Sequence, residues 1–192
     1  MFKYNDSIIF IDCAYYDRFM VKKSDSFFIR QTLNADNSNT YQETPIDLGA
    51  YVDALGKSVL RIHNIAVTFS DPNGKALEIN ANTSAAAQFQ LLTQSQTDIV
   101  FSSNRAVISS GKLYGRNMPG TGEHYPLISH DTDVLPQMWT NGYLVAVDSI
   151  FLGGQASQQW TTDVYMSITL ECTVETMSEA SAMALALSQQ GA

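Results

Sequence analysis

The chain has 192 residues, 45% of them hydrophobic, and 11 Lys and Arg against 19 Asp and Glu, for a formal net charge of −8. That length suits one core and one domain spanning 1–192, and the acidic balance argues against direct nucleic-acid binding, since "MVKK" at 20–23 is too short for a basic arm. The opening "MFKYNDSIIFIDC" lacks the basic start and apolar run of a secretory signal, and no stretch reaches the roughly eighteen apolar residues of a membrane span, so synthesis in the cytoplasm is expected.

In chain order, "SIIFIDC" (7–13) and "SFFIRQT" (26–32) read as short strands rich in β-branched and aromatic residues. "NADNSNTYQE" follows as a loop. "TPIDLGAYVDALG" has Thr44 at an N-cap, Pro45 at N1 and the stripe Leu48, Tyr51, Val52, Leu55 before Gly56, which predicts a short helix of about three turns. "SVLRIHNIAVTF" alternates in two phases, Leu60 and Ile62 against Ile65, Val67 and Phe69, which predicts a β-bulge near His63 and Asn64. "SDPNG" (70–74) is a turn, because Pro72 presets φ while Asn73 and Gly74 tolerate positive φ.

Further strands are expected at "ALEI", "AAQFQLL", "TDIVFS" and "GKLYG", a long loop from Arg116 to Met138, one strand over "YLVAVDSIFL", and a turn at "GGQASQQ". The last strand, 161–174, alternates strictly from Val164 to Val174. "TMSE" (176–179) reads as a capping box for a helix over about 177–189 ending before Gly191. That helix carries almost no charge, so it packs either on its own domain or on a neighbour, and Met183, Ala184 and Leu187 are the residues expected to dock on another subunit. The whole pattern is an all-β antiparallel sandwich with one short inserted helix and a C-terminal helix. Its first strand (7–13) and last (164–174) are expected in one sheet.

Motif chemistry is sparse. His63, His124 and His130 have no metal-ligand spacing, and Asp131 and Asp133 in "HDTD" lack the other ligands of a calcium loop, so no metal, cofactor or catalytic residue is assigned. Cys13 and Cys172 read as free thiols, or as a facing pair if the terminal strands meet. Trp139, Tyr143, Trp160 and Tyr165 could stack sugars, although aromatic residues at strand ends serve more often as core plugs. All the bases lie in residues 1–116, together with 11 acids, whereas 117–192 hold 8 acids and no base. Either an acidic face of one subunit meets a more basic face of the next, or the surface is simply solvated.

The helix "PIDLGAYVDALG" before the strand "SVLRIHNIAVTF", the eight or more short strands, the long loops and the appended helix together resemble a single jelly-roll capsid protein of an icosahedral virus, nearest to those of archaeal or environmental origin. The resemblance implies a structural virion protein, not an enzyme, made in the host cytoplasm. It would self-assemble as pentamers or hexamers into a shell, with other virion proteins or an internal membrane as further partners. A tail-tube or spike protein is the alternative within that class, and a carbohydrate-binding β-sandwich module the alternative outside it.

Overall fold

The computed structural model describes residues 24–53, 57–117 and 127–190. The expected strand 7–13, Cys13, His124 and the stops at Gly56 and Gly191 lie outside them. Among the described residues nine strands form two antiparallel sheets: β1 (Phe27–Asn34), β9 (Tyr165–Thr176), β3 (Ser58–Ser70) and β7 (Tyr143–Val145) in the first; β2 (Gln42–Asp47), β8 (Ser149–Ala156), β4 (Thr83–Leu92), β5 (Val107–Asn117) and β6 (Leu127–Val134) in the second. The pairings β1 with β9, β2 with β8, β3 with β7 and β4 with β5 nest inside one another, as in a long hairpin rolled up so that its strands fall alternately into two sheets. This nesting is the jelly roll, with one extra strand, β6, on the edge of the second sheet.

The core lies between the sheets. Alternate residues of β9, Met166, Ile168, Leu170 and Cys172, face Phe89, Leu91, Ile150 and Leu152 of the opposite sheet, all in one buried cluster. Trp160 fills the end of this core, and its indole N–H donates to the Ala86 carbonyl at 3.1 Å. The expected bulge in β3 falls between Ile62 and Asn64, so His63 is the extra residue, and its Nε2 meets Thr173 Oγ1 at 2.9 Å.

Several expected elements differ. Residues 44–53 hold no helix of three turns: Gln42–Asp47 are β2, paired with Ser149–Gly154, and one turn follows, closed by Tyr51 and Val52 N–H on Leu48 C=O. Pro45 is tolerated because β2 is an edge strand. The run 143–152 is two strands, not one, because the chain crosses from the first sheet to the second at 146–148, keeping Ala146 and Val147 buried on the way. "GG" is no turn: Gly153 and Gly154 lie inside β8, where a Cβ would strike Tyr41 at the first and Met166 at the second. "TDIVFS" is not a strand but a cover over the outer face of β4, and the 116–138 loop contains β6 and a 3-10 turn at Pro136–Met138. Only Ile79 of "ALEI" pairs, as a single bridge to Trp160.

Candidate self-association surface

The C-terminal helix α1 spans Glu179–Gln190. Its cap is Ser178, whose Oγ accepts the Ser181 N–H at 3.3 Å. Thr176 cannot serve, because β9 runs through it to pair with Ser58. Acidic Glu179 in the first turn suits the positive end of the helix.

One face of α1 lies on the domain through Ala182, Leu185, Ala186 and Gln189, against Val59, Leu144 and Ala146. The two alanines let the helix approach closely, and Gln189 then reaches the outer edge of β7. Its Oε1 accepts the Ala146 N–H at 2.9 Å, and its Nε2 donates to the Leu144 carbonyl at 2.7 Å. One side-chain amide therefore does what a neighbouring strand would do. The Gln189 carbonyl is tied in turn to Thr93 and Gln94, the residues that follow β4 in the other sheet. Tyr143 lies against this anchor: burial pushes its phenol above the ordinary value, while a hydrogen bond with Gln189 pulls the other way.

The opposite face is open. Met183, Ala184 and Leu187 all point away from the domain, with Met183 42% and Leu187 63% exposed. These are the three residues singled out from the sequence, and they share a surface because positions i and i+4 of a helix are neighbours. Met138 and Trp139, in the turn that leads to β7, are exposed apolar residues as well.

Two more glutamines repeat the strand-mimicking contact. Gln137 bonds both the N–H and the C=O of Ile65, on the stretch of β3 that β7 does not reach. Gln90, fully buried, bonds the N–H and the C=O of Val100 and so fastens the 94–106 cover to β4. No periodicity or spacing marks such residues in the sequence.

The remaining candidates disperse. Trp160 is buried in the core while Trp139 is exposed, so the four aromatic residues form no common platform. His130 packs edge-on against Phe69, Asp131 accepts the Tyr114 hydroxyl, and Asp133 meets Ser110 and, at 3.5 Å, Lys112. Among the described residues no group of three or more His, Cys, Asp or Glu could hold a metal ion, and no helix is long and apolar enough to cross a membrane. Cys172 is buried and free, and burial, with a smaller contribution from Glu171, pushes its thiol up to about 12. The charge asymmetry is partly resolved within the chain, since Arg61 grips Glu175 with two bonds of 2.6 and 2.7 Å and Lys112 faces Asp133. Both pairs join a base of the first part to an acid of the second.

No protein-family model matches the chain. No curated protein matches it in sequence. Solved structures similar to it include ones from viruses. They include the unassembled VP1 pentamer of Merkel cell polyomavirus, at 7% identity and a TM-score of 0.41, covering 80% of this chain and 96% of that one. Desmodium yellow mottle tymovirus is similar at 8% identity and a TM-score of 0.34, covering 82% and 89%. Cocksfoot mottle virus is similar at 8% identity and a TM-score of 0.35, covering 85% and 100%.

Proposed function

We propose that the chain is a structural virion protein, a capsid subunit that self-assembles through rings such as pentamers or hexamers into an icosahedral shell. The observation that carries this reading is α1. The helix is tied to the jelly roll just before its start, where the Met177 N–H donates to the Lys57 carbonyl at 2.7 Å, at its end through Gln189, and by its inner face, yet it turns two large apolar side chains outward. A helix that only closed its own domain would have no need of Met183 and Leu187 on the wet side, whereas an interface gains roughly 1.5–3 kcal/mol for each such side chain it buries fully. Exposed apolar residues that are rigidly presented are what subunit contacts are made from. Other virion proteins or an internal membrane are further partners under this reading, and the mature location is the virion.

Negative-stain microscopy of the purified full chain tests it. Closed particles or discrete rings support the shell subunit, and a monodisperse monomer at all concentrations rejects it. A second reading rests on the outer face of the second sheet, where Gln88, Gln155 and Asn39 surround small Ala86 and Ser157 beside exposed Tyr114. Amides around an aromatic ring suit a sugar, so glycan binding by a stable monomer would favour a carbohydrate-binding module instead.

A further inference from the structure

Four edge strands bound the two sheets, and three carry a device that blocks further pairing. β2 contains Pro45, β6 carries Asp131 and Asp133, and β7 is three residues long with its outward groups taken by Gln189. β1 has none of these. It is eight residues long, contains no proline, has a single charge at Arg30, and pairs only with β9 among the described residues. The Ala35 N–H donates to the Val164 carbonyl in continuation of the β1–β9 register, so the odd-numbered residues of β1 bond β9. By the alternation of an antiparallel ladder, the N–H and C=O groups of Phe28, Arg30 and Thr32 then face outward.

We infer that β1 is a strand-addition site and that its occupant is the chain's own segment Ser7–Cys13, which makes the first sheet five-stranded. The described chain begins beside this edge, where the Ser24 N–H donates to the Val174 carbonyl at 2.9 Å. "SIIFIDC" is a β-branched and aromatic run close to β1 in length, and residues 14–26 are long enough to join the two as a hairpin. Tethering raises the local concentration of the segment to the order of millimolar, above that of any free competitor. Charge agrees: Asp12 is the single charge of the segment and Arg30 that of β1. Setting these two opposite each other puts Ile9, Ile11 and Cys13 on the core side and Ile8, Phe10 and Asp12 on the outer side. A strand at 7–13 in the sheet of β9 would take this edge, because the sheet's other edge, β7, is closed by Gln189.

Amide hydrogen exchange of the full chain, at a concentration where it is unassembled, tests the site. In the native sequence the amides of Arg30 and Thr32 should exchange roughly tenfold or more slowly than in the variant Phe10→Pro, which removes the N–H aimed at the Thr32 carbonyl and breaks the pairing. The amides of Leu60 and Ile168 should stay protected in both, which shows that the jelly roll itself persists. A charge reversal at Asp12→Arg should speed the same two amides, and adding Arg30→Asp should restore them. Equal exchange in the native chain and Phe10→Pro overturns the inference, as does protection that appears only with rising protein concentration, which would assign the edge to a second copy. The exchange is read in single chains, so its failure leaves shell formation untouched.

Discussion

Replacing Gln189 by Ala removes the amide that closes the edge of β7. The Ala146 N–H and the Leu144 carbonyl lose their partners, and because Ala146 is 1% exposed and Gln189 6% exposed, water reaches them poorly. A buried polar group left unsatisfied costs about 1–3 kcal/mol, so two of them, one partly rescued by solvent, come to roughly 2–4 kcal/mol. Against a total stability of about 5–15 kcal/mol this is a large fraction. If unfolding is global, the midpoint falls by roughly 5–12 °C for a chain of this size. If α1 detaches alone, the loss appears instead as amide exchange in Glu179–Gln190 faster by roughly 30- to 1000-fold, at about 1.4 kcal/mol per tenfold. Gln189→Glu is the sharper probe. A carboxylate still accepts from Ala146 but turns an acceptor toward the Leu144 carbonyl, so it should be at least as harmful as Ala. Thermal and urea unfolding with exchange mass spectrometry measure both variants. A loss below about 0.5 kcal/mol with unchanged exchange in α1 would refute the anchoring role.

Gly142 has φ +61° and stands where a Cβ would lie 2.3 Å from the Ile62 carbonyl oxygen, so Gly142→Ala should lower stability by about 1–3 kcal/mol in urea unfolding. Cys172, with its thiol pushed up to about 12, should resist alkylation in the native state at pH 8, holding about a thousandfold less thiolate than a free cysteine near 9; peptide mapping that finds Cys172 modified as fast as in denaturant would contradict this. The Asp71 carboxyl is held below its ordinary value, first by the Lys75 backbone N–H and then by that of Asn73. A depressed folded-state value means that the contribution of this turn is present above the unfolded carboxylate range and is lost as pH falls through the folded value. An NMR titration should therefore show Asp71 protonating later than exposed aspartates on acidification, and Asp71→Asn should remove that step.

Much of the fold was legible because period-2 alternation reports directly on a strand with one wet face. β9 shows it from Val164 to Val174, and the phase change in β3 located its bulge at the right residue. The failures have a common physical cause, which is that partners distant in sequence decided the structure. Thr44, Pro45 and the Leu48, Tyr51, Val52, Leu55 stripe satisfy helix rules, but pairing with Ser149–Gly154 buries Ile46, and one turn suffices to bury Leu48 and Val52. The apolar run 143–152 gave no sign of its break, since a crossing between sheets through the interior is as apolar as a strand. β6 was hidden for the opposite reason: an edge strand carrying His130, Asp131 and Asp133 has the composition of a loop. In α1 the outward residues Met183, Ala184 and Leu187 were legible from helical spacing. The inward anchor Gln189 was not, because its meaning depends on the free groups of β7 more than forty residues away.

The central claim, that the outer face of α1 joins subunits, is tested most directly by the double variant Met183→Glu with Leu187→Glu, examined by negative-stain microscopy and analytical ultracentrifugation beside the native chain. Both side chains lie outside the core, so circular dichroism and the unfolding midpoint should match those of the native protein. The account predicts a folded monomer that no longer forms particles or rings. Particles of unaltered size and yield from this folded variant would contradict it.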